Sequence, residues 1–343
     1  MTHRIVAVAT AALALILTGS VKNAYADDFY KGRHLRIIVS YFPGGGNDLE
    51  VRLIARHMRR HVPGNPSIVV QNMPGAGTVI GANYLYRIAP QDGSVVGIFG
   101  PSQVVRQVIG VPGVEFQSEN FNWLVAANVG DVVTCVATER SGVKTLDDAI
   151  KRKEPLVVAA SGPGSSTLTW PRAYNEILGA NFKIVSGYPG AAGLRAAIER
   201  GEADATCIAW ASYMRRARSE MEASGTLLNV FTQMGMKAAP DLPQVENALE
   251  RTKSKTDRQV FTALLTEYAM ARPFVAPPGV PVERVQLLRK AFMDTLRDPR
   301  LLEEAKKINV EINPLPGESV HEIVKNLKSM SPEVAKKVRS FME

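Results

Sequence analysis

Cysteine and histidine are both scarce in this chain of 343 residues, with two of the first and five of the second. Neither Cys135 nor Cys207 sits in a local nucleophile signature, which removes the usual thiol enzymes. His3 lies in the N-terminal leader. His57 and His61 have the i, i+4 spacing of a metal pair but lack the HExxH glutamate and an evident third ligand, so no metal site is expected. No Gly-x-Ser-x-Gly elbow occurs, which removes the commonest serine hydrolase arrangement. Aromatics make up 7% of the residues and do not interleave with the arginine clusters, so a nucleic-acid partner is not expected. Past the leader no apolar, uncharged run reaches the roughly 18 residues of a membrane span. No period of about 20–50 residues repeats, and no segment is of low complexity.

What is present begins with the leader. Arg4 supplies a short positive start, residues 5–17 are almost all Ala, Val, Ile and Leu, and Ala24-Tyr25-Ala26 forms an A-x-A cleavage site. Residues 1–26 therefore read as a signal peptide, with a buried N-terminal helix as the competing reading. No Cys follows the apolar run, which argues against a lipid anchor. The expected product is an exported periplasmic protein long enough for two domains. Its formal charge of +8 falls by two when Arg4 and Lys22 leave with the leader. A basic balance favours acidic small molecules or partners only weakly. Arg52, Arg56, Arg59 and Arg60 read as the solvated face of a helix. Cys135 and Cys207 lie in separate apolar runs; they pair if those runs are neighbouring strands, and otherwise remain two buried thiols.

Strand and helix patterns alternate along the chain, which indicates an α/β protein with mostly parallel sheets. Residues 35–41 are a β-branched strand, and Val51, Ile54, Ala55, Met58 and Val62 stripe a helix over about 48–61. Strands follow at 67–71 and 95–99, with a loop at 72–77 and a helix at 81–88 between them. A second series starts past Phe121. It has helices at 145–151, 174–178 and 191–199 and strands at 156–160, 182–185 and 203–209, with an apolar stretch at 227–231. A further apolar run spans 268–276, and helices are expected from Pro281 onward. The implied division places 27–125 with about 235–343 in one lobe and 126–234 in the other, the C-terminal part being able to pack across both.

Two glycine-bearing loops carry the chemistry. In Tyr41-Phe42-Pro43-Gly44-Gly45-Gly46-Asn47-Asp48 the glycines permit positive φ and close approach. Asn47 reads as an N-cap, with Glu50 three residues on in a capping-box position. A helix start after such a turn presents unpaired N–H groups to an anion. No Gly-Lys-Ser/Thr follows, and Leu49 stands where a dinucleotide motif needs glycine. Asp48 opposes a simple anion site unless it points away. The corresponding loop, Ser161-Gly162-Pro163-Gly164-Ser165-Ser166, offers amides and hydroxyls. Ligands of open α/β sheets sit outside strand C-termini, where both loops lie. Trp170, Trp210, Tyr188 and Tyr213 read either as pocket lining or, more commonly, as core.

These motifs together resemble the Bug-type extracytoplasmic solute receptors of tripartite tricarboxylate transporters. The resemblance runs through residues 35–48, Val69-Val70-Gln71-Asn72-Met73-Pro74-Gly75-Ala76-Gly77 and Ala89-Pro90-Gln91-Asp92-Gly93. It continues through 161–165, Tyr188-Pro189-Gly190-Ala191-Ala192, Gly201-Glu202-Ala203-Asp204 and 275–281. It implies a two-lobed, type II-like Venus-flytrap fold without catalytic activity or cofactor, closing on a small organic carboxylate. By the resemblance, Tyr41, Phe42, Pro43, Gly44, Gly45, Asn47 and Asp48 face Ser161, Gly164, Ser165 and Ser166 across the ligand. Asn72, Ala76, Gly77, Thr78, Tyr188, Gly190 and Asp204 border the cleft. The implied partners are the permease subunits of a tripartite transporter, or a sensor kinase ectodomain, approached by a monomer. A secreted enzyme using the glycine loops as an anion site is the competing reading. Pro171 falls where the family runs helix, so that helix is expected to start late with Pro171 at its first position.

Overall fold

The run Leu-Arg-Ile-Ile-Val makes a first strand, β1 (His34–Val39), whose Leu35, Ile37, Ile38 and Val39 are fully buried. Four of its six residues are apolar, three of them β-branched, as a strand covered by helices on both faces requires. It belongs to a computed structural model that describes residues 29–162, 165–210, 221 and 223–343. The expected leader, Gly164 and Tyr213 lie outside the described residues.

Helix α1 (Gly46–Met58) follows β1, then β2 (Ser67–Asn72), α2 (Val79–Arg87), β3 (Val95–Ile98), α3 (Ser102–Val108) and β4 (Asn122–Asn128). The chain passes to β5 (Val133–Thr138), α4 (Leu146–Lys151), β6 (Leu156–Ala160), α5 (Ser166–Ala173), β7 (Phe182–Ser186), α6 (Gly190–Glu199), β8 (Ala205–Ala209) and β9 (Leu228–Met234). It continues through α7 (Lys255–Leu264), α8 (Thr266–Ala269), β10 (Ala271–Ala276), α9 (Val282–Leu296) and α10 (Pro299–Lys307). It ends in β11 (Leu315–Pro316), α11 (Gly317–Lys328) and α12 (Pro332–Met342). Two sheets result, ordered β11-β4-β10-β3-β1-β2 and β7-β6-β8-β5-β9. Each has a parallel core, β3-β1-β2 in one and β7-β6-β8 in the other. In both sheets an antiparallel strand, β10 or β5, borders that core, so both are mixed.

Register fixes how the lobes face one another. Val39 aligns with Asn72 and Ile98, and Ala271, where β10 begins, aligns with Asn128 at the end of β4. The start of β5 aligns with the end of β8 through Val133 and Ala209, and with the end of β9 through Met234. The short link 129–132 therefore joins the edge where β1–β4 finish to the edge where β6, β8 and β9 finish. The C-terminal ends of both parallel cores point into one gap.

The C-terminal helices strap the lobes together. One apolar cluster includes Phe99 and Trp123 of the first lobe, Trp170 and Tyr174 of the second, and Phe261 and Phe341 between them. Trp170 stacks on Phe261 with the rings 2° from parallel and centroids 6.1 Å apart. Residues 236–264 pack on the second sheet, where the Gly235 N–H donates to Asn247 Oδ1 at 3.2 Å and Arg251 pairs with Asp147. Burying side chains of this size contributes about 1.5–3 kcal/mol each.

Two local expectations are corrected, and one open alternative is settled. Helix α1 starts at Gly46, with Gly45 as its N-cap and no side-chain cap bond, rather than at an Asn47 cap. The reason is Glu50, which turns into the core (1% exposed) and pairs with Arg272 instead of closing a capping box. Pro171 lies inside α5, not at its first position. Pro171 withholds the bond to the Thr167 carbonyl one turn back, and beyond it α5 passes into a π turn at Tyr174–Leu178. Finally, Cys135 and Cys207, the alternatives left open by sequence, are cross-strand partners in β5 and β8 and are joined by a disulfide.

Candidate functional site

The gap between the strand ends is built first from the turn after β1. Gly44 has φ +77°, which a glycine takes without strain, and the turn brings its N–H onto the carboxylate of Asp48 at 2.8 Å. Asp48 is 2% exposed and points inward. Its other partners are Arg52 Nε at 3.0 Å and Asn72 Nδ2 at 2.8 Å. Burial pushes the Asp48 carboxyl up, but the Arg52, Gly44 and Asn72 donors together hold it below the usual carboxylate range. Asn72 also donates to the Tyr41 carbonyl and accepts from Arg52 Nη2. Asp48 and Asn72 thus spend their polar groups tying β1, β2 and α1 together. What remains for a guest is the Gly45 N–H and the first-turn N–H groups of α1, including that of Asn47, which have no acceptor within the helix; Pro43 has no N–H and that of Gly44 is already held by Asp48. Phe42 beside them is 73% exposed.

The second wall of the first lobe is the 75–78 turn. Ala76 (φ +45°) and Thr78 (φ +86°) both lie in the left-handed region, which costs roughly 1 kcal/mol or more for each residue with a side chain. The turn is held by Thr78 Oγ1, which accepts the Gly100 N–H at 2.9 Å, and by Gln103 Nε2, which donates to the Gly77 carbonyl at 2.8 Å. Gly81 permits it to approach β1, since a Cβ there would stand 2.1 Å from Ser40 Oγ.

Tyr41 points across the strand ends, its hydroxyl lying beside Gly100. Burial pushes this hydroxyl well above its ordinary range; Arg272 opposes the shift, and Glu267 and Glu50 reinforce it. Arg272 adopts φ +54° at the start of β10. Glu267 stands between the lobes, where burial raises its carboxyl to about 7 against hydrogen bonds from Tyr268 and Trp170. Tyr268 in turn bonds Ser166. A small cavity of about 10 Å³ joins Ser102 and Val105 of the first lobe to Ser166 and Thr169 of the second, with Glu267 beside them.

On the second lobe the Ser161 N–H donates to Thr167 Oγ1 at 2.9 Å, and Ser165 Oγ lies 3.1 Å from the same atom. Ser165 is the N-cap of α5 but makes no side-chain cap bond, and Ser166 in the first turn of that helix lines the small cavity that Ser102 of the first lobe also lines.

Several residues expected at the cleft are turned elsewhere. Tyr188 lies near the end of β6, its N–H on the Ala160 carbonyl at 3.3 Å. Its ring packs with Leu194 and Ile198, and its hydroxyl donates to Glu202 at 3.1 Å. Gly190 opens α6 on the exposed side. Asp204 precedes β8, donates its N–H to the Val157 carbonyl and pairs with Arg140 at 3.2 Å. That is the end of the sheet away from Ser161, so Asp204 is not brought to the loop. Trp170 and Trp210 are core, Trp210 donating to Asp241 at 2.6 Å. Conversely, Ser102, Glu267, Tyr268 and Arg272 were not anticipated. The one available signal was Arg272, a lone charge inside the apolar run 268–276.

Two α/β lobes whose strand ends face one gap define a two-lobed periplasmic solute-binding fold. The chain belongs to the tripartite tricarboxylate transporter receptor family (TctC), whose sequence model matches residues 51–336. It is 26% identical over 319 residues to the UPF0065 protein of the gbd 5′ region of Cupriavidus necator, covering 89% of this chain and 86% of that one. A TctC solute binding protein from Polaromonas, solved with no ligand, superposes with a TM-score of 0.67 at 19% identity over 91% of this chain and 99% of its own. R. palustris Rpa4515, solved with adipate, superposes with a TM-score of 0.64 at 20% identity over 90% and 97%. At those identities the two structures establish the shared fold. The family is the one its glycine-loop motifs resembled. Among the described residues no helix is long and apolar enough to cross a membrane.

Proposed function

We propose that this chain is a periplasmic receptor that closes its lobes on a small organic carboxylate and passes it to the permease subunits of a tripartite transporter. The observation that carries the reading is the pairing of two open helix starts, α1 after Gly44–Gly45 and α5 after Ser165, at strand ends that face the same gap. Such N-termini attract anions through unpaired N–H groups and the helix dipole. Each bond to a charged group contributes about 1.5–3 kcal/mol. Four at the upper end of that range, less the smallest association cost of about 4 kcal/mol, reach the roughly −8 kcal/mol of micromolar binding. Glu267, with a carboxyl near 7, can also donate a proton to a ligand oxygen. That adipate accompanies a relative of this fold makes an aliphatic dicarboxylate the first candidate. Because the family is one of receptors, we read the chain as non-enzymatic.

Calorimetric titration with adipate and a panel of mono- and dicarboxylates tests this. Binding without turnover is the expected result. The absence of heat and of any thermal shift across the whole panel would overturn the reading.

A further inference from the structure

The four sheet edges are managed differently. Strand β11 is two residues long and ends in Pro316, β7 carries Lys183, and the second half of β9 is bridged by Asn247. Short length, charge, proline and cover are the usual means of keeping an edge from pairing. Strand β2 has none of them. It reads Ser-Ile-Val-Val-Gln-Asn over six residues, contains no charge and no proline, has among the described residues a strand partner only in β1, and leaves Val69 43% exposed.

Above this edge lies α1, and between them runs a groove of about 490 Å³. Its floor includes Ala55, Ile68 and Val70, its wall is Arg52, Arg56 and Arg59, and no acidic residue lines it. A guanidinium has five N–H donors, and these are only partly used. Arg52 meets Asp48 and Asn72, Arg56 meets Glu304, and Arg59 donates its Nε to the Asn65 carbonyl at 3.2 Å. A charge that served only to defend the edge would sit on the strand. Here it sits on the helix overhead, where it would meet the side chains of a strand added beside β2.

We infer that the β2 edge and the arginine face of α1 form a docking site for an extended acidic segment of a partner protein, which adds to the sheet as a seventh strand. Spacing supports it. Arg52, Arg56 and Arg59 follow one another by about 6 and 4.5 Å along the helix axis. Alternate residues of a strand are about 6.7 Å apart. The Arg52–Arg56 step is within about 1 Å of that repeat, so two acidic residues two positions apart come under this pair with Arg59 just beyond the second, while main-chain bonds to β2 supply a sequence-independent part of the affinity. The site is remote from the inter-lobe gap and does not depend on the ligand proposed there.

The test is a fluorescence anisotropy titration of the full chain, leader removed, with a labelled peptide of about six residues alternating Glu and Val, at low ionic strength. Binding is expected, with slowed amide hydrogen exchange confined to residues 67–72. Arg59→Glu is expected to weaken it about tenfold, as is N-methylation of the peptide at alternate amides. The methylated peptide acts on the unaltered protein, so the test survives a variant that fails to fold. Equal binding of the methylated peptide would reduce the site to diffuse charge attraction and overturn the proposal. So would protection elsewhere, a lack of peptide binding, self-association through β2, or capture by anionic vesicles in place of the peptide.

Discussion

The carboxylate of Asp48 accepts the Gly44 N–H at 2.8 Å, so the glycine turn that opens the candidate site is already partly occupied by an anion of the protein's own. A ligand carboxylate seated on the remaining amides of α1 must tolerate that buried charge, which Arg52 only partly offsets at the rim.

Asp48→Asn keeps the size and one acceptor while removing the charge. We expect it to tighten dicarboxylate binding several-fold at low salt, because like charges about 4 Å apart repel by about 1 kcal/mol even in bulk water and by more near a protein surface. Asp48→Ala strands the Gly44, Arg52 and Asn72 donors instead and is expected to cost about 1–3 kcal/mol of stability. Calorimetry and urea unfolding of the two variants separate the effects. Weaker binding by the Asn variant would show that order in the turn outweighs its charge.

Glu267 gives the gap a pH response. Its carboxyl is raised to about 7 by burial between the lobes. The unfolded value is about 4.3, so the folded state binds the proton more tightly. The stability this gives is full below about pH 4 and is lost as pH rises through 7. Glu267→Gln cannot ionise, so its stability relative to the parent should rise between pH 5 and 8, by at most about 3 kcal/mol. Parallel unfolding curves at the two pH values decide the matter; a pH-independent difference would refute the assignment.

How much of this was legible in the sequence follows from range of interaction. The alternation of strand and helix and both glycine loops are local signals, and the α/β lobes follow from them. Cys135 and Cys207 could be placed in strands but not paired, because pairing depends on β5 lying beside β8, a partner 72 residues away. Which way Asp48 points could not be read locally, because its inward partner, Asn72, comes from another strand. Glu50 looked like half of a capping box for the same reason, its real partner being Arg272. Asp204 shares a motif with cleft-lining segments, but only register showed that it sits at the wrong end of β8.

Low pH should loosen α10 from α1. Asp298 is joined to Arg60 and to His61 Nε2 at 2.8 Å, and Glu304 to His57 Nε2 at 2.6 Å and to Arg56. Burial pushes the Asp298 carboxyl up, but the Arg300 N–H, Arg60 and His61 outweigh it and hold it far below its ordinary range. His57 and Arg56 lower Glu304. A lowered folded value means stability that is fully present above the unfolded carboxylate range, shrinks as pH falls below it, and is lost only as pH falls through the folded value. Asp298→Asn should therefore be less stable than the parent at pH 7, with the difference shrinking steadily as pH falls from 5 to 2, as read by urea midpoints. A constant difference across that range would exclude this pair as the source.

The disulfide offers the largest single effect on stability. Cys135 and Cys207 are almost fully buried at the centre of the second sheet, and the bond closes a stretch of 72 residues. Removing a cross-link of that span releases unfolded-state entropy worth about 4 kcal/mol in the chain-closure model. Residual structure in the unfolded chain reduces the figure, so about 2–4 kcal/mol is the expected loss for the Cys135→Ala, Cys207→Ala double variant. Alanine suits both positions because neither sulfur has another partner to lose and the surroundings are apolar. Because the bond is shielded from solvent, brief exposure of the folded protein to a thiol reductant should leave its unfolding midpoint unchanged. The same reductant added to protein already unfolded in urea should lower the refolded midpoint to that of the double variant. Two coincident midpoints without any reductant would show that the bond contributes nothing, and immediate sensitivity of the native protein would show that β5 and β8 open far more readily than their burial implies.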